Sequence, residues 1–180
     1  MVKVVEEYIV SLLGVADKPL PSVWHLQKEF FILTKMNPNI QKLLNFASHY
    51  EGPYSEVLQE SYREPMCYED AFVTNKNDEI ILTEQGKKTF DEIKNKFANN
   101  PKFTQFLQSL KLLREIYDKL SKEELLFLMY LTYPSFIEYS NVYERLVKNE
   151  QRRKRICDSL LKKGVITLDR YEELISLAAQ

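Results

Sequence analysis

The side chains able to do acid-base or nucleophilic chemistry are few. His25, His49, Cys67 and Cys157 are the only histidines and cysteines in 180 residues. His49 with Cys67 would make a base and a nucleophile, but they lie in different segments and no third group that would orient the base is identifiable. His25, beside Trp24 in a helical pattern, reads as a surface or boundary residue. Two histidines and two cysteines without paired spacing compose no zinc finger or knuckle. There is no glycine-rich phosphate loop, nucleophile elbow or zinc-protease helix. Carboxylates are plentiful, yet nothing in the pattern marks a pair as buried, so they read as a solvated face. No catalytic residue, metal ligand or cofactor is expected, and an enzyme using His49 and Cys67 stays only as a residual reading.

Binding through charge is restricted by how the charge is distributed. The formal net charge is −1, so no whole-molecule field steers the chain to nucleic acid or to an anionic membrane. Residues 1–100 hold 11 Lys and Arg against 15 Asp and Glu, whereas residues 101–180 hold 14 against 11. Basic character concentrates in Lys148-Asn149-Glu150-Gln151-Arg152-Arg153-Lys154-Arg155. If nucleic acid is bound at all, Arg152, Arg153, Lys154 and Arg155 are the residues expected to carry it. Tyrosine offers a second kind of contact, since its large ring gives area at low entropy cost. Tyr50, Tyr54, Tyr62 and Tyr68 gather around the Gly52-Pro53 turn, and basic residues do not interleave with them as a base-stacking surface would require.

The elements that must position these residues are mainly helical. With 44% hydrophobic residues, 4 glycines and 7 prolines, the chain is neither disordered nor a turn-rich sandwich. Val4, Val5, Tyr8, Ile9, Leu12 and Leu13 share one helical face, with Gly14 as its stop. A second helix runs from Val23 to Asn37, and Asn37-Pro38 opens a third. Residues 50–55 read as a turn, and Tyr54 to Tyr62 as the helix after it. Ala71 to Thr74 and Ile80 to Thr83 form a β-hairpin around a polar loop, and Thr83 caps the next helix. Asn99-Asn100-Pro101 is the expected boundary. Beyond it lie a helix from Phe103 to Leu120 and one opened by the Ser121 capping box and apolar on all sides from Leu125 to Leu131. A long helix from Ser140 to Gly164 and a last one from Leu168 to Ala179 complete the chain. The expected architecture is a winged helix-turn-helix-like domain over residues 1–98, with 102–180 packed against it as a helical layer. Two isolated cysteines, an acidic N-terminus and no apolar run of bilayer length point to a soluble cytoplasmic protein without a membrane segment.

Three stretches carry a family resemblance: Leu26-Gln27-Lys28, the segment from Phe46 through Tyr50-Glu51-Gly52-Pro53-Tyr54-Ser55 to Leu58, and Leu82-Thr83-Glu84-Gln85-Gly86. Together they resemble the YwgA-type and Panacea (SocA-like) antitoxin domains over roughly residues 1–98. One departure is Glu51, which stands between Tyr50 and Gly52 where that family has tyrosine directly before glycine. The resemblance implies a prokaryotic, winged-helix-like, non-enzymatic module that neutralises a partner protein, plausibly a toxin encoded beside it, by direct contact. The expected partner-binding residues are Tyr50, Gly52, Pro53, Tyr54 and Ser55. The alternative is a winged-helix DNA-binding regulator. The acids Glu56, Glu60 and Glu64 on the helix that would enter the groove oppose it.

Overall fold

The computed structural model describes residues 2–138, 140 and 142–176. The chain is mainly helical with two small antiparallel hairpins, and its contacts divide it into two units. The first comprises Met1–Phe46 with Ser55–Asp118, the second Ala47–Tyr54 with Lys119–Gln180. This partition differs from a boundary at Asn99-Pro101. It places the helix after Pro101 in the first unit and the 47–54 hairpin in the second.

In the first unit, helix α1 (Val2–Gly14) packs against α4 (Glu56–Arg63), α5 (Glu84–Lys96), α6 (Pro101–Tyr117) and strand β4 (Ile80–Leu82). Its apolar face is fully buried at Val5, Ile9 and Val10. The other elements of this unit are α2 (Val23–Met36), α3 (Pro38–Leu44) and β3 (Phe72–Thr74). Several helix starts follow from their caps. The Asn37, Ser55, Thr83 and Asn100 side chains accept backbone N–H groups of the first turns of α3, α4, α5 and α6, which satisfies donors that a helix leaves orphaned. Two glycines are fixed by close approach. A Cβ on Gly14 would stand 2.4 Å from the Phe90 ring, and one on Gly86 1.9 Å from Ala71 O. Gly14, the last residue of α1, is thus required by the close approach of the Phe90 ring on α5 and not by a positive φ.

Two polar side chains lock this unit together. Glu6, buried on α1, accepts the backbone N–H groups of Met66, Cys67 and Tyr68 at 2.8–2.9 Å, tying the segment after α4 to the first helix. Arg114 on α6 is fully buried. Its Nε donates to both Asp118 carboxylate oxygens at 2.9 Å, Nη1 to Leu12 O at 3.0 Å, and Nη2 to Lys18 O and Pro19 O at 2.9 and 3.0 Å. Lys18 Nζ completes the cluster, 2.9 Å from Asp118. The next residue, Leu20, forms a one-residue bridge with Ile80, donating to its carbonyl at 2.9 Å and accepting from its N–H at 2.8 Å.

Glu29 on α2 lies fully buried beside this cluster, and its oxygens meet no donor among the described residues. Its carboxyl is within hydrogen-bonding reach of that of Asp118. Two carboxyls join in this way only when one carries a proton. Burial first, and the Asp118 charge second, hold the Glu29 carboxyl well above its ordinary 4.5.

In the second unit, α7 (Lys122–Thr132) begins with a capping box: Ser121 Oγ accepts from Glu124 N–H, and the Glu124 carboxylate accepts from Ser121 N–H. Leu125, Leu126, Phe127, Met129 and Tyr130 are all buried, which agrees with an apolar helix that needs cover on several sides. Strands β1 (Ala47–His49) and β2 (Gly52–Tyr54) pair antiparallel, with Ser48 opposite Pro53. What the sequence presents as a plain turn is thus a hairpin. Three-residue strands carry no period, and Pro53 fits because a two-stranded ribbon leaves its missing N–H on an outer edge. The expected long helix from Ser140 is broken. A π-helical turn, Glu144–Lys148, closes with Asn149 N–H on Glu144 O. Asn149 then caps α8 (Glu150–Lys162) through Arg152 N–H. Helix α8 ends at Gly164 with φ 65°, where Gly164 and Val165 donate to Leu161 O and Leu160 O, the pairing of a Schellman stop. Helix α9 spans Leu168–Ser176, and the expected continuation to Ala179 lies outside the described residues.

Two outcomes follow. Arg114→Met leaves Lys18 as the cation paired with the buried Asp118 carboxylate, frees the Leu12, Lys18 and Pro19 carbonyls, and is expected to cost about 3–5 kcal/mol in urea unfolding. Glu29→Gln supplies a permanent donor to Asp118. The unfolded wild-type chain releases the Glu29 proton near pH 4.5 while the folded chain keeps it. The stability linked to Glu29 is thus complete below that pH and is lost at about 1.4 kcal/mol per pH unit as pH rises, until the folded carboxyl ionises. The stability advantage of Glu29→Gln over wild type should therefore widen as pH is raised from 4.5, in unfolding curves taken at a pH series.

Candidate functional site

The 47–54 hairpin presents its tip. Gly52 takes φ 83°, a left-handed conformation open to glycine without strain. Tyr50 is 63% exposed, and the His49 ring supports it edge-on at 5.3 Å while lying 5.1 Å from Tyr54 on its other side. Glu51 forms the other tip residue and pairs with Lys122 Nζ at 2.9 Å, so the residue that interrupts the tyrosine-glycine order anchors the hairpin to α7. Gly52 and Pro53 are buried and Tyr54 is half-buried. Of the five expected contact residues, Tyr50 is the exposed one.

Ser55 falls in the first unit and is fully buried. Its N–H donates to Gln27 Oε1 at 2.9 Å, its carbonyl accepts from Gln27 Nε2 at 3.0 Å, and its hydroxyl donates to Leu44 O while accepting from Leu58 N–H. Every polar group of Ser55 is thus used in holding α2, α3 and α4 together. The Gln27–Ser55 pair joins the leucine-glutamine-lysine and glycine-proline-tyrosine-serine segments: one side-chain amide supplies both an acceptor for the N–H and a donor for the C=O of a single residue. Nothing in the two segments as sequence shows that they meet.

The basic segment is also engaged. Arg152 pairs with the Glu123 carboxylate, and Arg155 Nη2 reaches the same group at 3.5 Å. The Arg152 hydrogen bond holds the Glu123 carboxyl below its ordinary range despite partial burial. Arg153 is buried, with Nη1 donating to Val147 O at 2.7 Å, so it closes the carbonyl end of the π-helical turn. Lys154 pairs with Asp158 at 3.4 Å. Lys154 and Arg155 remain exposed. The missing apolar stripe in this stretch marks a helix break capped by its own polar side chains.

The remaining tyrosines and reactive groups have local partners. Tyr62 stacks on Phe72 with ring planes 12° apart and bonds the Thr74 hydroxyl. Tyr68 donates to Glu7 at 3.1 Å, and burial together with that carboxylate pushes its phenol up to about 12. His25 is buried, its Nδ1 2.9 Å from Ser22 Oγ, so it is a core residue. Cys157 is buried, which raises its thiol to about 11 and keeps it from acting as a thiolate. Cys67 is exposed. Among the described residues no three His, Cys, Asp or Glu side chains gather as a metal site, and no helix is long and apolar enough to cross a membrane.

Ser55→Ala removes a helix cap and leaves buried partners unmatched. It should cost about 1–2 kcal/mol in chemical unfolding, whereas Tyr50→Ala at the exposed tip should change stability by no more than about 0.5 kcal/mol. The chain matches no family model, no curated protein and no solved structure.

Proposed function

We propose that this chain is a non-enzymatic protein-binding module, an antitoxin-like regulator of prokaryotic type that neutralises a partner protein by direct contact through the Tyr50 hairpin. The observation that carries the reading is the exposure of Tyr50 on a tip whose base is fixed by the Glu51–Lys122 pair and whose flank is held by His49. A large ring held out from a braced hairpin loses little entropy when a partner covers it. The order of α1 to α3, α4, the 72–82 hairpin and α5 supports a winged-helix-like first unit, and the resemblance to YwgA-type and Panacea domains supports an antitoxin role. The DNA-binding alternative draws on Lys154 and Arg155, because Arg152 and Arg153 are committed to Glu123 and Val147.

Co-expression with the product of the adjacent gene, followed by affinity capture and titration, tests this. A complex is expected, weakened by about 1–3 kcal/mol in Tyr50→Ala and nearly unchanged when Arg152, Arg153, Lys154 and Arg155 are all neutralised in a variant verified to be folded. No complex and no rescue of growth would count against the reading. Binding of upstream DNA that falls steeply with salt and vanishes in the fourfold variant would replace it with the regulator.

A further inference from the structure

The 72–82 hairpin has two unlike edges. Strand β4 is covered on its outer side by the Leu20–Ile80 bridge. Among the described residues strand β3 pairs with no strand on its outer side. Thr83 N–H donates to Ala71 O and Asn75 N–H to Glu79 O. With Phe72 opposite Leu82 and Thr74 opposite Ile80, alternation turns the carbonyl of Ala71 and the backbone groups of Val73 and Asn75 toward β4, while the Ala71 N–H donates to Tyr68 O. Alternation turns the backbone groups of Phe72, a buried residue, and of Thr74 to the outer edge, where Thr74 is the exposed one. Thr74 and Val73 are exposed. A groove of about 410 Å³ is lined by β3 residues Phe72, Val73 and Thr74 together with Tyr62, Arg63 and Glu69.

Only an extended polypeptide carries donors and acceptors at the spacing of a strand edge. The charge around the edge selects among such polypeptides. Residues 56–79, which form α4, the segment after it, β3 and the hairpin loop, hold seven acids against Arg63 and Lys76. Glu56, Glu60, Glu64, Glu69, Asp70 and Asp78 are all exposed. We propose that the free edge of β3, with the groove that β3 lines, docks a basic extended segment of a partner polypeptide as an added strand. This surface belongs to the first unit and the Tyr50 tip to the second, so the proposal extends the protein-binding reading with a contact of different chemistry.

The test uses the full chain and a fluorescent, end-capped heptapeptide of alternating lysine and valine, titrated by polarisation at low salt. Saturable binding is expected, with the Thr74 amide exchanging more slowly in the complex. The glutamate–valine counterpart should bind at least about tenfold more weakly, as should the lysine–valine peptide N-methylated at alternate residues, which cannot complete the ladder. Thr74→Pro, which removes an outward N–H without touching the β4 pairing, should weaken binding by a similar factor. Thr74→Val, which keeps that N–H and loses the hydroxyl, should retain it. Tyr50→Ala should leave peptide binding unchanged, so this proposal and the Tyr50 reading can fail separately. Absence of binding, equal binding of the acidic or N-methylated peptide, or an unprotected Thr74 amide at saturation would each overturn it. The peptide variants do so even where Thr74→Pro does not fold.

Discussion

The Arg114 guanidinium is the constraint on which the first unit depends. A buried cation is tolerable only when its donors and its charge are matched, and Arg114 meets that condition by gathering atoms from distant parts of the chain. Asp118 supplies the counter-charge one turn away, Leu12 the carbonyl end of α1, and Lys18 and Pro19 the connection to α2. A carbonyl from the last turn of α1 also complements the positive charge through the helix dipole. The position of the 18–19 segment then determines where Leu20 meets Ile80, so α6, α1 and β4 are registered through one side chain. The same concentration of charge explains Glu29. Asp118 already accepts from Arg114 and Lys18, and a second buried anion beside it is avoided by retaining a proton.

Caps and apolar periods made most helices legible in the sequence. Asn37-Pro38, Thr83, Asn100-Pro101, Ser121-Glu124 and Gly164 each act at a terminus, because these signals are satisfied within a few residues. What the sequence concealed is non-local. Nothing in the pattern distinguishes Arg114 from a solvated arginine paired with Asp118 at i+4, since the carbonyls it donates to lie about a hundred positions earlier. The partition at Asp118 was hidden because α6 has the amphipathic stripe of any helix, and the stripe does not say which elements it faces. The 47–54 hairpin was hidden by brevity. At Asn149 a capping residue was present, but the polar run around it reads equally as a solvated helix face until the Val147 carbonyl is seen to need Arg153.

The candidate site was legible in part for the same reason. The segment from Tyr50 to Ser55 stood out as a block, yet its residues divide by role. Tyr50 faces solvent, Gly52 supplies the backbone conformation, and Ser55 is absorbed by Gln27 and Leu44. Motif membership cannot separate a residue that touches a partner from one that shapes the loop, because both are required for the same surface. The basic segment shows the converse: a charge run that suggests an external anion finds its main counter-charge in Glu123 and its main acceptor in Val147.

The Leu20–Ile80 bridge has a further consequence for assembly. A ribbon with two bare edges can grow from both sides, each added strand exposing another edge, and so can nucleate an open-ended sheet. Here a single residue closes one side, fixed in place by carbonyls that Arg114 holds. The ribbon has a valence of one. A single added strand ends growth on this ribbon unless that strand offers an edge of its own, so at this hairpin the bridge acts as a chain terminator against fibrous stacking.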